Sequence, residues 1–188
     1  MSITHKLKKG AAWTLGRALP IQKNKVVFSS FYGRGASDNP KAIVDALAQR
    51  SEKLDIVWLA KDPAHAGVPD NVRVVPYDTP AAIRELSTAR VWVDNCRKGA
   101  HVKKDGQYYM QTWHGFALKR IERDVADKLN TPENAAYAEY AKRDSAQIDA
   151  IISNSTFMTE IYQKSFWYHG AVLEYGSARN DILVNPPA

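Results

Sequence analysis

Short apolar runs alternate with polar, helix-forming segments along most of the 188-residue chain. Runs of this kind are typical of strands that lie inside a parallel sheet and are covered on both faces. The pattern predicts seven strands, at residues 25–31, 55–60, 72–76, 90–95, 108–113, 150–153 and 171–175.

Helix signals lie between most of these strands. Pro40 and Pro80 stand at positions that suit the first turn of a helix, and Ser155 precedes an apolar helix face. A further helix is predicted over residues 133–148. Because strands alternate with helices, the sequence predicts an α/β fold, a Rossmann-like and mostly parallel sheet with helices on both faces. We place this lobe at residues 25–180.

Residues 1–24 differ in character from the rest of the chain. Apolar residues recur at every fourth position, and basic side chains of the first 25 residues account for the whole formal charge of +6. A basic amphipathic helix that carries a tryptophan is typical of a helix lying on an anionic membrane. We therefore predict a membrane-associating segment here. Its predicted contacts are Lys6, Lys8, Lys9, Trp13 and Arg17.

Two other interpretations of residues 1–24 stay open. In one, the segment is a terminal helix that packs on the core of the domain. In the other, it is a site for a partner protein. Gly10 and Gly16 weaken an isolated helix, so the segment is expected to fold on lipid or on protein.

The composition excludes several classes of function. A nucleic-acid-binding domain would spread its basic residues over a folded face, so no nucleic-acid partner is predicted. The single cysteine, Cys96, cannot form an intrachain disulfide. No pair of histidines has metal-ligand spacing, so no metal site is predicted. No apolar run approaches the ~20 residues that a membrane span needs.

Candidate chemistry is concentrated between residues 107 and 124. His114 is predicted at the carboxyl end of the fifth strand, directly before Gly115, and open α/β sheets bind ligands just outside strand carboxyl ends. Lys119 and Arg120 follow. A histidine, a glycine and a basic cluster suit chemistry on an anionic substrate. The alternative is a histidine at the edge of the core, followed by a solvated helix face.

Two groups of residues in the second half of the chain carry a resemblance. The first is Gln111-Thr112-Trp113-His114-Gly115, then Leu118-Lys119-Arg120 and Asp124. The second is Ile151-Ile152-Ser153-Asn154-Ser155, Phe157, Thr159-Glu160-Ile161, Gly176 and Arg179-Asn180-Asp181. Both resemble the signature of the CDP-glycerol glycerophosphotransferases, the polymerases and primases of teichoic acid and capsule synthesis. Two pairs depart from the common pattern of that family, Phe116-Ala117 and Ser177-Ala178.

The resemblance implies the amino-terminal lobe of a GT-B type fold. The complete enzyme would move glycerol phosphate from CDP-glycerol, its donor substrate, to a teichoic-acid-like or capsular polymer. His114 is then the candidate general base. Residues expected to contact the acceptor or its phosphates are Trp113, Gly115, Lys119, Arg120, Asp124, Arg179 and Asn180. The resemblance also implies a peripheral position on the cytoplasmic face of the cell membrane, and no cofactor in this chain.

Residues 181–188 are predicted to begin a linker to a missing carboxyl-terminal, donor-binding lobe, so the chain alone is expected to be inactive. Two alternatives stay open for the function. One is a sugar-nucleotide glycosyltransferase lobe of the same architecture. The other is a non-catalytic fragment that binds a membrane or a polyanion. A structural hinge is the alternative for Arg179 and Asn180, and a plain turn is the alternative to an anion-binding loop at residues 33–39.

Overall fold

A computed structural model of the protein describes residues 3–98, 101–128 and 131–185. Its strands are β1 Gln22–Ser29, β2 Asp55–Ala60, β3 Arg73–Pro76, β4 Ala89–Asp94, β5 Tyr108–Gln111, β6 Ala150–Ser153 and β7 Ala171–Glu174. Its α-helices are α1 Ile3–Ala18, α2 Asp38–Ala48, α3 Pro80–Thr88, α4 Arg123–Ala126, α5 Pro132–Ser145 and α6 Thr156–Ser165. Short 3-10 helices lie at Phe31–Gly33, Pro63–His65 and Ala178–Leu183.

The seven strands form one sheet in the order β3-β2-β1-β4-β5-β6-β7. Every neighbouring pair is parallel, so the predicted α/β fold with a parallel sheet is confirmed. The strand order reverses between β1 and β4, which makes the carboxyl ends of these two strands the switch point of the sheet. The loops that follow β1, β4 and β5 meet at this edge.

Alternate residues of each central strand enter two separate cores. Val27 and Trp92 belong to the core under α3 and α6, whereas their chain neighbours Phe28 and Val93 belong to the core under α2. All four are almost fully buried. Burying such a side chain stabilises the fold by about 1.5–3 kcal/mol. The near-continuous apolar runs of the sequence therefore reflect strands that are covered on both faces.

Three of the helices begin at a capping hydroxyl. The hydroxyls of Thr79, Thr131 and Ser155 accept hydrogen bonds from backbone N–H groups of the first turn. Asn39 does not cap α2, because that helix already begins at Asp38 and Ser37 is the residue before it. The side chain of Asn39 is thereby free to bridge two other segments at the site described below.

The amino-terminal helix packs on the lobe in its described part. At Gly16 an added Cβ would lie 2.3 Å from Ser87 Oγ of α3, so the two helices are in close contact. Trp13 packs against the α3 core, and Lys9 pairs with Asp78. The side chains of Lys6 and Lys8 lie outside the described part of the chain.

This packing corresponds to one alternative left open for residues 1–24, a terminal helix that packs on the core of the domain. Trp13 and Lys9 thereby contact other parts of the lobe. The outer face of α1 is solvent-exposed, with Leu15 70% exposed and Arg17 also exposed. Membrane association stays a prediction for that outer face. No helix within the described ranges is long and apolar enough to cross a membrane.

Element ends differ from the sequence prediction where long-range contacts decide them. β1 begins at Gln22, inside the predicted membrane segment, because Gln22 pairs with Ala89 of β4. β5 ends at Gln111, before Trp113. Residues 178–183 form a 3-10 helix beside α2 instead of an open linker, and residues 186–188 lie outside the described ranges.

Candidate functional site

The turn after β5 is held by a buried glutamine. Gln111 Oε1 accepts a hydrogen bond from the Trp113 N–H at 2.9 Å. Its Nε2 donates to the carbonyl of Cys96 at 3.1 Å and to Tyr109 Oη at 2.9 Å. Trp113 has φ of 50°, which is a strained conformation for a bulky side chain. The glutamine therefore stabilises a turn that would otherwise cost free energy.

The ring of Trp113 supports the ring of His114. The two rings stack with centroids 4.4 Å apart and planes inclined by 22°. The rings of Trp113 and Phe166 are nearly perpendicular with centroids 4.7 Å apart, and the Arg97 guanidinium lies 5.9 Å from the Trp113 centroid. Trp113, predicted as an acceptor contact, is thus half-buried and also positions the histidine.

His114 lies half-buried at the strand end where the sequence placed it, with Phe31 5.7 Å away. Burial, the largest influence, lowers the pKa of His114, and the Arg179 guanidinium lowers it further. The Asp38 carboxylate opposes this effect. The imidazole is consequently neutral near pH 7, the form that can accept a proton.

Arg179 reaches this histidine from the far end of the chain. Its Nη1 donates to the His114 carbonyl at 2.9 Å and pairs with the Asp38 carboxylate. The Asn39 side chain joins the same segments, since it accepts from the Arg179 N–H at 3.2 Å and donates to the Thr112 carbonyl at 3.4 Å. The contacts of Arg179 therefore fix the backbone of the candidate site.

Asn180 follows Arg179 in the 3-10 helix Ala178–Leu183. Its N–H donates to the Ser177 carbonyl at 2.8 Å inside the same 3-10 helix, and the residue is exposed. Asp38 and Asn39, which the sequence did not single out as site residues, are the partners that matter here. Their only signal was the polar end of the glycine-rich loop.

Gly115 is not required by the backbone or by packing. Its φ lies outside the left-handed region, and an added Cβ would meet nothing within 4 Å. The residue lines a small polar recess together with Asn39, Thr112, Asn154 and Arg179. A glycine at this position therefore leaves open space directly beside His114.

The basic residues border two shallow recesses next to His114. One recess of about 450 Å³ runs from Trp113 to Lys119 and Ile121. A second, of about 320 Å³, is lined by Lys119, Arg120 and Glu122 among others. Both cations are exposed. Asp124 lies half-buried in the first turn of α4 and lines neither recess.

An apolar patch lies beside the same recess. Phe116 stacks on Phe157 of α6 with centroids 5.1 Å apart, and Leu118 is 90% exposed. Phe116 and Leu118 line the same recess as Lys119. The cations and this patch together line the approach to His114.

A buried ion network ties the end of this loop to α5. Arg97 Nη2 donates to Glu122 Oε2 at 2.8 Å, and Nη1 donates to Asp144 Oδ2 at 3.2 Å. Tyr137 Oη donates to Glu122 at 2.6 Å. Burial raises the pKa of Asp144 to about 6, although Arg97 opposes the shift. This network could not be predicted from local sequence patterns, because its members are far apart along the chain.

Comparison with known proteins agrees with the geometry. The family model of CDP-Glycerol:Poly(glycerophosphate) glycerophosphotransferase matches residues 11–188. A teichoic acid poly(glycerol phosphate) polymerase of Staphylococcus epidermidis is 32% identical over 168 residues, which are 88% of this chain and 23% of the relative. A teichoic acid glycerol-phosphate transferase of Staphylococcus aureus is 32% identical over 167 residues, 86% of this chain and 42% of the relative.

A solved structure of the wall teichoic acid polymerase TagF has the same fold. It superposes with a TM-score of 0.85 and 28% identity over 99% of this chain and 50% of that chain. A TagF variant soaked with CDPG gives a TM-score of 0.85 at 28% identity, over 99% of this chain and 52% of that one. The chain spans between about a quarter and about half of the length of these relatives. The family match over residues 11–188, together with this fold, shows that the chain belongs to the CDP-glycerol:poly(glycerophosphate) glycerophosphotransferase family.

Proposed function

We propose that this chain is the acceptor-side lobe of an enzyme that transfers glycerol phosphate from CDP-glycerol to a growing glycerol-phosphate-type polymer. The observation that carries the proposal is the environment of His114. A neutral, half-buried imidazole lies at a strand end, and a glycine leaves open space beside it. Two exposed cations border the adjoining recesses.

His114 acts in this proposal as the general base. A terminal hydroxyl of the acceptor attacks the phosphorus that carries the glycerol group of the donor. A new P–O bond forms, the phosphoanhydride bond to the cytidine monophosphate group breaks, and cytidine monophosphate leaves with the electron pair. The unprotonated ring nitrogen of His114 takes the hydroxyl proton. General base catalysis of this type contributes about 10²–10⁴ in rate.

Lys119 and Arg120 hold the acceptor. A glycerol-phosphate polymer carries one negative charge per repeat, and exposed cations next to the base would keep its terminal phosphate near His114. Arginine suits this task because its guanidinium binds phosphate oxygens in pairs. Trp113 and Arg179 act on the position of His114, through ring stacking and through the His114 carbonyl.

The donor is proposed to bind mainly to a second lobe. The TagF variant soaked with CDPG supports CDP-glycerol as the donor, and this chain covers 52% of that protein. We further propose that the lobe is peripheral to the cytoplasmic face of the membrane and meets it through the outer face of α1, where Leu15 and Arg17 are exposed.

A donor comparison tests the proposal in the two-lobed enzyme, in which this lobe is joined to its donor-binding lobe. Labelled CDP-glycerol and labelled UDP-sugars are each supplied with a short glycerol-phosphate acceptor. The proposal expects label transfer from CDP-glycerol, with release of cytidine monophosphate. Transfer of sugar from a UDP-sugar, without use of CDP-glycerol, would instead assign the lobe to a glycosyltransferase.

A further inference from the structure

A second cavity lies at the switch point of the sheet, on the α1 side and separate from the recesses around His114. Its volume is about 310 Å³. The walls come from α1, from the loops after β1, β3 and β4, and from α5, and their aromatic residues are Trp13, Tyr32, Tyr77, His101 and Tyr140. Ligand sites in proteins begin at about 300 Å³ and are lined mainly by apolar and aromatic groups. The cavity therefore has room for one small ring.

The turn after β1 is built in a strained conformation that serves both sites. Phe31 and Tyr32 have φ of 43° and 57°, a left-handed conformation that is strained for residues other than glycine. Phe31 lies against His114, while Tyr32 lines the cavity. Gly33 continues the turn at φ of 80°, and an added Cβ there would lie 2.6 Å from the Tyr77 ring. The strained turn and the missing Cβ are what let Tyr32 and Tyr77 wall the cavity.

The cations around the cavity already have carboxylate partners. Lys9 pairs with Asp78, and Lys98 Nζ lies 2.6 Å from Asp94 Oδ2. Arg97 is paired with the two carboxylates of the buried network. Burial, together with Lys98 and Lys9, lowers the pKa of His101 to about 3, so this ring is neutral. Because each of these cations is paired with a carboxylate, neither an anionic nor a cationic ligand would meet an uncompensated opposite charge.

The ring geometry distinguishes between neutral ligands. The planes of Trp13 and His101 are inclined by 43° at a centroid distance of 5.2 Å. The two rings contact each other and form one inclined wall, so a planar nucleobase has no room to insert between them. A sugar ring offers an apolar face of C–H groups and an edge of hydroxyls, which suits inclined aromatic walls with phenol groups and charged pairs at their rim.

We propose that this cavity binds a neutral pyranose sugar unit between Trp13, Tyr32 and Tyr77. The site is distinct from the proposed transfer site, because its walls do not include His114, Lys119 or Arg120. It would give the lobe a carbohydrate-binding site in addition to the proposed transfer site. Binding does not depend on the transfer reaction and can be measured on the 188-residue chain.

The test is an NMR titration of the 188-residue chain with methyl β-D-glucopyranoside and with N-acetylglucosamine. The indole N–H signal of Trp13, assigned with Trp13→Phe, is expected to shift saturably with a Kd of about 1–10 mM for at least one of the two sugars. The indole of Trp58, which is fully buried in the opposite core, should not move.

Variants locate the ligand. Tyr32→Ala removes a ring that is 43% exposed and should weaken sugar binding about tenfold. Tyr77→Ala should act in the same direction. The matched control is Tyr175→Ala, since Tyr175 is 80% exposed and does not line the cavity. Its binding should stay within about twofold of the unaltered chain.

Three outcomes would overturn the proposal. One is a Trp13 signal that stays fixed with both sugars up to about 50 mM. Another is sugar binding that Tyr32→Ala leaves unchanged. The third is a Trp13 signal that responds to cytidine monophosphate or to glycerol 3-phosphate, and to neither sugar. Failure of transfer in the two-lobed enzyme would not bear on this result, so the two proposals fail separately.

Discussion

His114 obtains its chemical state from its surroundings and not from a single partner. Burial and Arg179 lower its pKa, and Asp38 limits the shift. Its position comes from the strained turn at Trp113 and the stacked indole. Arg179, by contrast, is already paired with Asp38 and donates to a carbonyl. At the scale of single residues, His114 is therefore the proposed base, whereas Trp113 and Arg179 hold it in position.

Lys119 and Arg120 are expected to act on the acceptor and not on the chemical step. Lys119→Ala and Arg120→Ala in the two-lobed enzyme should raise the KM for a glycerol-phosphate acceptor by about tenfold, equivalent to about 1.4 kcal/mol. Hydrolysis of CDP-glycerol should change much less. Steady-state kinetics with both reactions measure the difference.

Lys164→Ala is the control for these two variants. Lys164 is also an exposed lysine, but it lies in the last turn of α6 and lines neither recess. If all three variants change the acceptor KM equally, the effect is one of overall charge, and the cluster beside His114 has no special role.

At the scale of elements, α1 is part of the lobe through one face and is open to solvent on the other. Gly16 lies on the packed face and Gly10 on the open face. Gly16 lies in contact with Ser87, whereas a Cβ at Gly10 would meet nothing within 4 Å. A glycine-to-alanine substitution at each of these two positions therefore differs mainly in its packing contact with α3.

Gly16→Ala should destabilise the chain by about 1–3 kcal/mol, because the added methyl group overpacks the contact with α3. Gly10→Ala should stabilise it by up to about 1 kcal/mol, since alanine is the better helix former. Chemical denaturation measures both free energies of unfolding. Equal and favourable effects of the two substitutions would mean that α1 does not pack on α3.

The outer face of α1 is the surface that we propose contacts the membrane. Leu15→Glu combined with Arg17→Glu should reduce cosedimentation with phosphatidylglycerol vesicles severalfold, and binding by the unaltered chain should fall as salt rises. Both side chains are exposed, so the free energy of unfolding should change by no more than about 0.5 kcal/mol. Undiminished vesicle binding by the double variant would refute the membrane role of this face.

The sequence predicted those elements that local pattern determines. All seven strands are present because apolar runs fix buried strands, and Thr79 and Ser155 cap their helices because capping is local. His114 was placed correctly because it follows such a strand. The contacts of Asp38, Asn39 and Arg97 were not predicted, since their partners lie far away in the sequence. The packed side of α1 could not be chosen either, because one amphipathic pattern suits both lipid and protein.

At the scale of the whole molecule, the lobe is expected to fold on its own but not to catalyse the transfer on its own. Its two cores are closed by its own helices, so residues 1–188 alone should unfold cooperatively. The chain spans half of TagF, and the proposed reaction needs the donor phosphate held near the acceptor hydroxyl. Such positioning can be worth about 7–11 kcal/mol.

The isolated 188-residue chain should therefore neither bind CDP-glycerol with micromolar affinity nor transfer glycerol phosphate. Calorimetric titration with CDP-glycerol tests the first statement, and an assay with a short glycerol-phosphate acceptor tests the second. Tight donor binding or clear turnover by the purified chain would place the donor site in this lobe.

The most direct test of the account is the transfer rate of a His114→Ala variant of the two-lobed enzyme. Its kcat should fall by about 10²–10⁴, the usual effect of losing a general base. In the unaltered enzyme kcat should decline only below about pH 6.5, because the pKa of His114 is lowered and protonation removes the base. His65→Ala, at a histidine whose side chain is 82% exposed, is the control and should keep full activity. A folded His114→Ala enzyme with near-normal kcat would contradict the proposed mechanism.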